Sequence, residues 1–465
     1  MQPRQTPPLR ARLPFFFLTS ILALSLPAGA DESREAAERP DNAGFRITGQ
    51  TFTIDGRTRE ESLLRAVGDP TGRTFASKEA VEAYAVERAK KLENMRMFRE
   101  SSVRAMYGEE TLPNGMTPVT LEVRIRDGSR FVPIPYAFYN SNEGFMTGVI
   151  GNLPNLAGTL QDLVVLGMYS APPDEEDRLQ WTEPNFMAIV SWSGVKIGDA
   201  EFSLFGSVMK MTRELIDLGS IKGEYNELAV SLGVRAKRPI AENLWGTASV
   251  SGFGCLDREI AFVDDASVYP YGPIDFRYGA TVGLLMEDID WTKNLREGYR
   301  AFTTFGWERT HPGYADARDD FLLEAEASFH WLPNERLNPS VRAYGFANTG
   351  LPIVDVAKRV RGIRNGELRG NEGLALSAGL QVFVARAGSV EFHALPYFDA
   401  IALHTRDTER REYDYGLASG VELLAFLDAM KSLPIKIGFG YDLRPAGKNG
   451  SGKFFEVDFT FQMTY

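Results

Sequence analysis

The residues from Phe131 to Tyr465 form a series of short strand-like segments without helical patterning. The segments are about 8 to 14 residues long and are bounded by Gly, Pro, Asn or Asp, as antiparallel strands usually are. We place about sixteen of them, at 131–141, 144–151, 158–170, 185–194, 200–212, 222–236, 243–254, 275–286, 299–309, 320–332, 338–348, 374–385, 388–400, 412–425, 433–443 and 453–465. An even number of antiparallel strands is what a barrel built from one bacterial chain requires.

The connections between these segments are sorted by length. The longest are SAPPDEEDRLQWTEP, CLDREIAFVDDASVYPYGPI, HPGYADARDD and residues 349–373, and all of them join an odd-numbered segment to the next even-numbered one. They would therefore lie at one end of a barrel, whereas a soluble sandwich has no reason to sort its loops in this way. The sequence predicts an all-β transmembrane barrel at 129–465.

The last segment, FFEVDFTFQMTY, alternates between an apolar, aromatic-rich face and a polar face up to Tyr465. A strand at the surface of a soluble β-domain would alternate in the same way, so this segment alone leaves both folds open. An exposed apolar strand aggregates in water, but it is protected where its apolar face meets lipid and its edge closes a barrel.

The N-terminal stretch has the pattern of a secretory signal peptide. Arg4, Arg10 and Arg12 precede an apolar run, residues 15–26, and Ala28-Gly29-Ala30 follows as a cleavage site. The run is shorter than the roughly 20 apolar residues that span a bilayer, which disfavours an uncleaved anchor. We predict a signal peptide at 1–30 and a charged, flexible N-terminus at 31–44. Any membrane insertion would then be as a β-barrel, because no other stretch is long and apolar enough for a transmembrane helix.

Residues 45–128 have a mixed α/β pattern that ends where the strand-like segments begin. FRITGQTFTI alternates as a strand, TREESLLRAVG predicts a short helix ending at Gly68, and a longer helix follows Ser77, a residue type that caps helix N-termini. SSVRAMYG and TPVTLEVRIRD predict two more strands. The order strand–helix–helix–strand–strand resembles a POTRA domain, so we predict one POTRA-like α+β domain at 45–128.

The connection between the eleventh and twelfth segments carries a second resemblance. Val360-Arg361-Gly362-Ile363 is similar to the VRGF or VRGY motif of the BamA/TamA-type outer-membrane assembly-factor superfamily, which includes the bacterial surface antigen barrels. In that family the motif lies between strands eleven and twelve, on an extracellular loop that folds into the lumen. PYFDA at 396–400, GLASGVELLAFL and LPIKIGFGYDLRP resemble the family's later strands.

Three features depart from the family pattern. Ile363 stands where the family has an aromatic residue. Gln381 stands where we expect a carboxylate on strand twelve, so one usual partner of the arginine would be uncharged. Only one POTRA fits between residues 45 and 128, whereas the housekeeping insertase has several.

The motif has a physical rationale that is independent of the resemblance. A barrel of sixteen strands encloses an aqueous lumen, and a loop folded inside it needs an anchor. Arg361 offers a planar fork of donors, and Asp399 should point inward from strand thirteen, so a bidentate pair would fix the loop. Gly362 allows a close backbone approach or a positive φ. We predict a lumenal loop anchor of Val360, Arg361, Gly362 and Asp399; the alternative is a solvated loop in which Arg361 meets water.

The junction of the first and last strands is a second candidate site, a lateral seam of Pro133, Pro135, Phe459, Phe461 and Tyr465. Prolines two residues apart remove amide donors from the same strand edge. If that edge faces the terminal strand, the seam lacks hydrogen bonds and could open sideways. Alternatively, the first strand begins only after Pro135, and the prolines belong to the preceding linker. The sequence leaves both interpretations open.

The resemblance implies an outer-membrane barrel, with its POTRA in the periplasm, that inserts or translocates protein clients. Its expected partners are outer-membrane lipids, unfolded or extended client proteins and periplasmic accessory subunits. The net charge of −11 argues against nucleic acid. The sequence has a single cysteine, Cys255, four scattered histidines and no catalytic motif, so we expect no enzyme activity, metal or cofactor. The alternative is a passive pore or structural surface protein that handles no clients.

Overall fold

The computed structural model describes residues 44–128, 131–140, 144–171, 185–217, 220–262, 274–312, 316–350, 359–363, 368, 370–406, 411–428, 434–444 and 455–461. The predicted signal peptide and all but the last residue of the predicted flexible N-terminus lie outside these residues.

An α+β domain, residues 45–127, packs two helices against a four-stranded sheet. Its elements are β1 (Phe45–Asp55), α1 (Glu60–Val67), β2 (Thr74–Phe75), α2 (Lys78–Asn94), β3 (Phe98–Tyr107) and β4 (Thr117–Asp127). The sheet order is β2-β1-β4-β3, with β1 parallel to β4. The sequence did not predict β2, because two residues cannot show a period. The other five elements were predicted.

The core of this domain follows from the residue pattern of its elements. On β4 every second residue from Val119 to Ile125 is buried, as strand alternation requires. These residues pack against α1 and α2, which bury Leu63 and Val81. The Ser77 hydroxyl accepts a hydrogen bond from the Ala80 amide, as predicted, and so fixes the start of α2.

In the part of the chain that the structure describes, sixteen further strands form a closed barrel in which each strand pairs antiparallel with the next. They are β5 (Val132–Asn140), β6 (Gly144–Leu153), β7 (Asp162–Ala171), β8 (Asn185–Ile197), β9 (Ala200–Asp217), β10 (Ser220–Ala241), β11 (Leu244–Phe262), β12 (Ile274–Thr292), β13 (Leu295–Pro312), β14 (Arg318–His330), β15 (Leu337–Asn348), β16 (Glu372–Ala387), β17 (Val390–Arg406), β18 (Arg411–Leu427), β19 (Ile435–Asp442) and β20 (Phe455–Phe461). The pairing of β20 with β5 closes the ring. The predicted barrel with a small α+β domain is confirmed.

Several strands extend further than their sequence pattern predicts. The stretch 255–262, expected to be a loop, continues β11, so Cys255 lies in a strand. The pairing of β10 with β11 shifts register between Leu228 and Ala229, which lie opposite Asp257 and Cys255. A bulge of this kind inserts one residue and inverts the alternation of side chains. The apolar/polar pattern therefore breaks at Cys255 although the strand does not end.

The two faces of the barrel wall differ in the expected way. On β17 the odd-numbered residues Tyr397, Asp399 and Ile401 are buried, whereas Phe392 and Phe398 on the other face are exposed. Apolar residues exposed on the outer face are typical of strands that contact lipid, and polar residues of the opposite face line the lumen. Among the described residues, no helix has the length and apolar character needed to cross a bilayer.

The α+β domain contacts one end of the barrel, here called the near end. The backbone amide of Arg59 donates to the carbonyl of Gly158, and Arg57 Nη2 donates to the carbonyl of Pro154, 2.8 Å away. Both carbonyls belong to the β6–β7 connection. The β12–β13 turn contacts the end of α2 through an ion pair between Lys90 and Asp290. The connection that carries Arg361 lies at the opposite, far end of the barrel.

Candidate functional site

The predicted loop anchor lies against the inner wall formed by β15–β18. Val360 and Ile363 are each 1 % exposed and belong to an apolar cluster with wall residues from these four strands. These wall residues are Tyr344, Phe346, Ala375, Ile401, Leu403 and Ala418. Burying each of the two side chains contributes roughly 1.5–3 kcal/mol relative to exposure, so the loop is held in place by packing as well as by charge.

Arg361 and Asp399 form the bidentate pair that the sequence predicts. Arg361 Nε and Nη2 each donate to an Asp399 carboxylate oxygen at 2.9 Å, and the Arg361 backbone amide donates to Oδ2 at 3.1 Å. Asp399 is 1 % exposed, so its charge depends on these donors for its solvation. The three bonds fix both the side chain and the backbone of the loop relative to β17.

Glu422, on β18, is a second carboxylate that the sequence did not identify as a partner of Arg361. Arg361 Nη1 lies 3.3 Å from Glu422 Oε1, and the guanidinium carbon lies 3.6 Å from the centre of the Tyr397 ring. Glu422 Oε1 also lies 3.5 Å from Lys436 Nζ on β19. Arg361 thus bridges carboxylates on β17 and β18, and Glu422 in turn contacts a lysine on β19.

Gly362 brings the loop backbone against β19. Its φ is +83°, and a Cβ placed on it would lie 2.8 Å from the Tyr441 nitrogen. A Cβ on Gly440 would lie 2.6 Å from the Gly362 Cα, so glycine is required on both sides of the contact. The glycine of the motif therefore serves a positive φ and a close approach at the same time.

The two substitutions relative to the family motif have structural explanations. Ile363 fills space above Gly416 on β18, where a Cβ would come within 2.6 Å of the Ile363 Cδ1. The structure places Gln381 toward the near end, where its Nε2 donates to the Asn294 carbonyl and lies 3.2 Å from His393 Nδ1. The second acidic partner of Arg361 is supplied by β18 instead of strand twelve of the barrel, β16.

The predicted seam is the least extensive strand pairing in the described barrel. The described residues of β5 and β20 pair at two positions, Asn140 with Asp458 and Tyr139 with Phe459. Pro133 and Pro135 lie within β5, opposite Gly151 and Val149 of β6, so the alternative in which the strand begins after Pro135 is wrong.

Two of the remaining predicted seam residues, Phe459 and Phe461, lie in the described part of β20. Phe459 pairs with Tyr139 across the seam, whereas Phe461 pairs with Ile435 of β19. Tyr465 lies outside the described residues. The structure thus brings Phe459 to the seam and places both prolines on the strand that lines it.

Comparisons with known proteins identify the fold. No family model and no curated protein matches the sequence. CdiB from Acinetobacter baumannii is 13 % identical over 90 % of this chain and 74 % of its own, with a TM-score of 0.57. CdiB from Escherichia coli is 12 % identical over 96 % of both chains, with a TM-score of 0.51. BamA from Haemophilus ducreyi lacking POTRA domains 1–3 is 13 % identical over 90 % of this chain and 85 % of its own, with a TM-score of 0.50. The chain thus has the fold of the BamA and CdiB barrels.

Proposed function

We propose that the protein is an outer-membrane barrel that inserts or translocates protein clients, with its α+β domain in the periplasm. The observation that carries this proposal is the lumenal loop anchored by Arg361 and Asp399, together with a seam whose described residues pair at two positions. A passive pore needs neither feature, because uniform pairing around the ring would make it more stable.

The seam supplies the chemistry that an extended client needs. Backbone donors and acceptors that have no partner on the neighbouring strand are costly in lipid and favour pairing with a new strand. We infer that β5 can separate from β20, whose described residues pair with it at two positions, and that the edge exposed in this way receives such a client. No nucleotide or cofactor is required, because the gain in hydrogen bonds drives pairing.

The α+β domain offers a second docking edge. β3 lies at the outside of its sheet, in the order β2-β1-β4-β3. An extended peptide could add to β3 by β-augmentation, with backbone hydrogen bonds giving affinity. Periplasmic accessory subunits would use the same kind of contact.

Site-specific photo-crosslinking tests this function. A photoreactive residue at Met106, which is exposed on β3, or at Tyr139, which lies at the seam, should capture β-rich client chains. Val86, exposed on α2, and Val282, exposed on the outer face of β12, are matched control positions. Equal capture at all four positions, or steady conductance without any captured chain, would support the passive pore instead.

A further inference from the structure

The β12–β13 turn, taken here with the strand ends beside it as residues 290–295, contacts the α+β domain and the barrel wall at the same time. On the domain side, Lys90 Nζ lies 2.8 Å from Asp290, and Asn94 Nδ2 donates to the same carboxylate at 3.0 Å. The Trp291 amide donates to Asn94 Oδ1 at 3.2 Å. The C-terminal end of α2 is therefore bound to this turn by charge and by hydrogen bonds.

Trp291 strengthens this junction by cation–π contacts. The guanidinium carbons of Arg96 and Arg296 lie 4.0 and 4.6 Å from the centre of its ring. Burial and the nearby charge of Arg296 lower the pKa of Arg96 to about 10, so Arg96 stays charged at neutral pH. Arg96 also has a φ of +53°, an uncommon conformation for a residue with a Cβ. Arg96 thus contacts the turn through both its charge and its packing on the Trp291 ring.

Asn294 connects this junction to the barrel wall. Its Oδ1 accepts a hydrogen bond from Arg96 Nη2 at 3.2 Å, and its Nδ2 donates to Glu391 Oε2 at 2.6 Å. The orientation of the amide follows from its partners, since arginine only donates and an ionised carboxylate only accepts. Asn294 and Glu391 are each 5 % exposed. One buried side chain thus links the α+β domain to β17.

Gln381 also contacts Asn294, and this contact explains why an amide stands where the family pattern has a carboxylate. Its Nε2 donates to the Asn294 carbonyl at 3.2 Å. A glutamate at this position would present an acceptor to another acceptor, so the near end requires an amide here. Gln381 lies on β16, directly beside β17.

The loop anchor belongs to the same strand and the same face. Glu391 and Asp399 are both odd-numbered residues of β17, and both are buried on its inner side. The β12–β13 turn therefore contacts β17 at Glu391, which lies closer to the near end than Asp399, where Arg361 binds the same strand. Rigid secondary-structure elements are among the structures that carry coupling between distant sites.

We propose that Asn294 and Gln381 are positioning residues that couple the seating of the α+β domain to the lumenal loop anchor through β17. A shift of α2 that withdraws Arg96 releases the Asn294 amide, removes a donor from Glu391 and loosens β17 where Asp399 holds Arg361. The coupling is a property of the folded chain and is measurable without any client, so its failure is distinguishable from failure of the proposed function.

Hydrogen exchange at the Arg361 amide measures this coupling directly, because that amide donates to Asp399. The variants Asn294→Asp, Gln381→Glu and Arg96→Met each sever one contact of the relay. Each should accelerate exchange across residues 359–363 by roughly fivefold or more. Lys91→Met is the matched control, because Lys91 forms an exposed ion pair with Glu87 on the same helix.

The double variant Arg96→Met/Asn294→Asp decides between a relay and two separate effects. Residues in one network are non-additive, so the double variant should exchange no faster than the faster single variant. Unchanged exchange at 359–363 beside faster exchange at 290–295 would overturn the proposal, as would additive acceleration. If Asn294→Asp fails to fold, Arg96→Met still tests the coupling, because Arg96 lies outside the barrel wall.

Discussion

The seam between β5 and β20 differs from the wall of β15–β18, which holds the loop, in how many described contacts join the strands. β17 pairs with β18 over all of its 17 residues, and the Val360–Ile363 motif adds ion pairs and apolar packing to that region. β20 pairs with β5 at two described positions. Among the described residues, strand pairing and side-chain contacts are therefore unevenly distributed around the barrel. β19 lies between β18 and the seam strand β20. Because Gly362 contacts β19, the loop packs on the wall as far as the strand next to the seam.

Of the changes proposed, a disulfide across the seam should have the largest effect, and that effect is on client handling. Tyr139 and Phe459 are paired residues, and paired Cα atoms on antiparallel strands lie about 4.5–5.5 Å apart, within the range of a disulfide. Oxidised Tyr139→Cys/Phe459→Cys, with Cys255→Ser, should lose client handling completely while the barrel stays folded. Client insertion by reconstituted protein, with and without reductant, is the measurement.

The matched control links a fully paired junction. Val282 and Phe305 are opposite residues of β12 and β13, and both are exposed on the outer face. The Val282→Cys/Phe305→Cys disulfide should leave client handling unchanged. Full activity of the seam-crosslinked protein would show that the seam does not open.

Arg361→Ala should detach the loop from the wall. The substitution leaves Asp399 and Glu422 buried without their shared cation, and breaking a buried ion pair costs about 3–5 kcal/mol. Because Arg361 is about one-third exposed, solvent screening places the effect at the lower end of that range. Conductance in planar bilayers should rise and become noisier, while heat-modifiable migration on gels still reports a folded barrel. Unchanged conductance would contradict the anchoring role.

Gly362→Ala should loosen the loop less than Arg361→Ala. The alanine must adopt a left-handed φ, which costs about 1–2 kcal/mol, and its Cβ would press on the backbone of β19. Gly388→Ala is the control, because Gly388 also has a positive φ, +59°, but nothing lies within 4 Å of its added Cβ. If hydrogen exchange at 359–363 accelerates in Gly362→Ala but not in Gly388→Ala, the effect comes from the added Cβ pressing on β19 and not from the positive φ. Equal acceleration in both variants would attribute the effect to φ.

Glu422→Gln should have the smallest effect. It removes one of two counter-charges but keeps the shape of the side chain, and Asp399 still accepts three hydrogen bonds from Arg361, so the loop should loosen less than in Gly362→Ala. Glu326→Gln on β14 removes a comparable ion pair with Arg342, away from the motif, and serves as control. A larger conductance change for Glu422→Gln than for Arg361→Ala would reverse the assigned roles of the two residues.

The loop anchor was predictable because it depends on short-range rules. The inward direction of Asp399 follows from strand alternation, and the strand count placed the motif between β15 and β16. Glu422 was not predictable in the same way. Its distance from Arg361 depends on the register between β17 and β18 and on the depth of the loop in the lumen, and neither quantity is encoded in a local pattern.

The boundaries of the long strands and the role of Asn294 were missed for different reasons. The bulge at Cys255 inverts the side-chain alternation, so a rule based on period two ends the strand too early. Asn294 lies in the β12–β13 turn, and its side chain is oriented by Arg96 on the α+β domain and by Glu391 on β17. A turn of this kind looks like any short hairpin in sequence.

The unequal strand lengths have a consequence for the surrounding bilayer. β10 has 22 residues, whereas β19, next to the terminal strand, has 8. At about 3.3 Å per residue and a tilt of about 40°, β19 covers roughly 20 Å along the membrane normal. An apolar band of about 25 Å is usual for such barrels. Lipid acyl chains beside β19 must therefore shorten or tilt to match it, so a new strand arriving beside this part of the wall meets a thinner hydrocarbon layer than a strand beside β10 would.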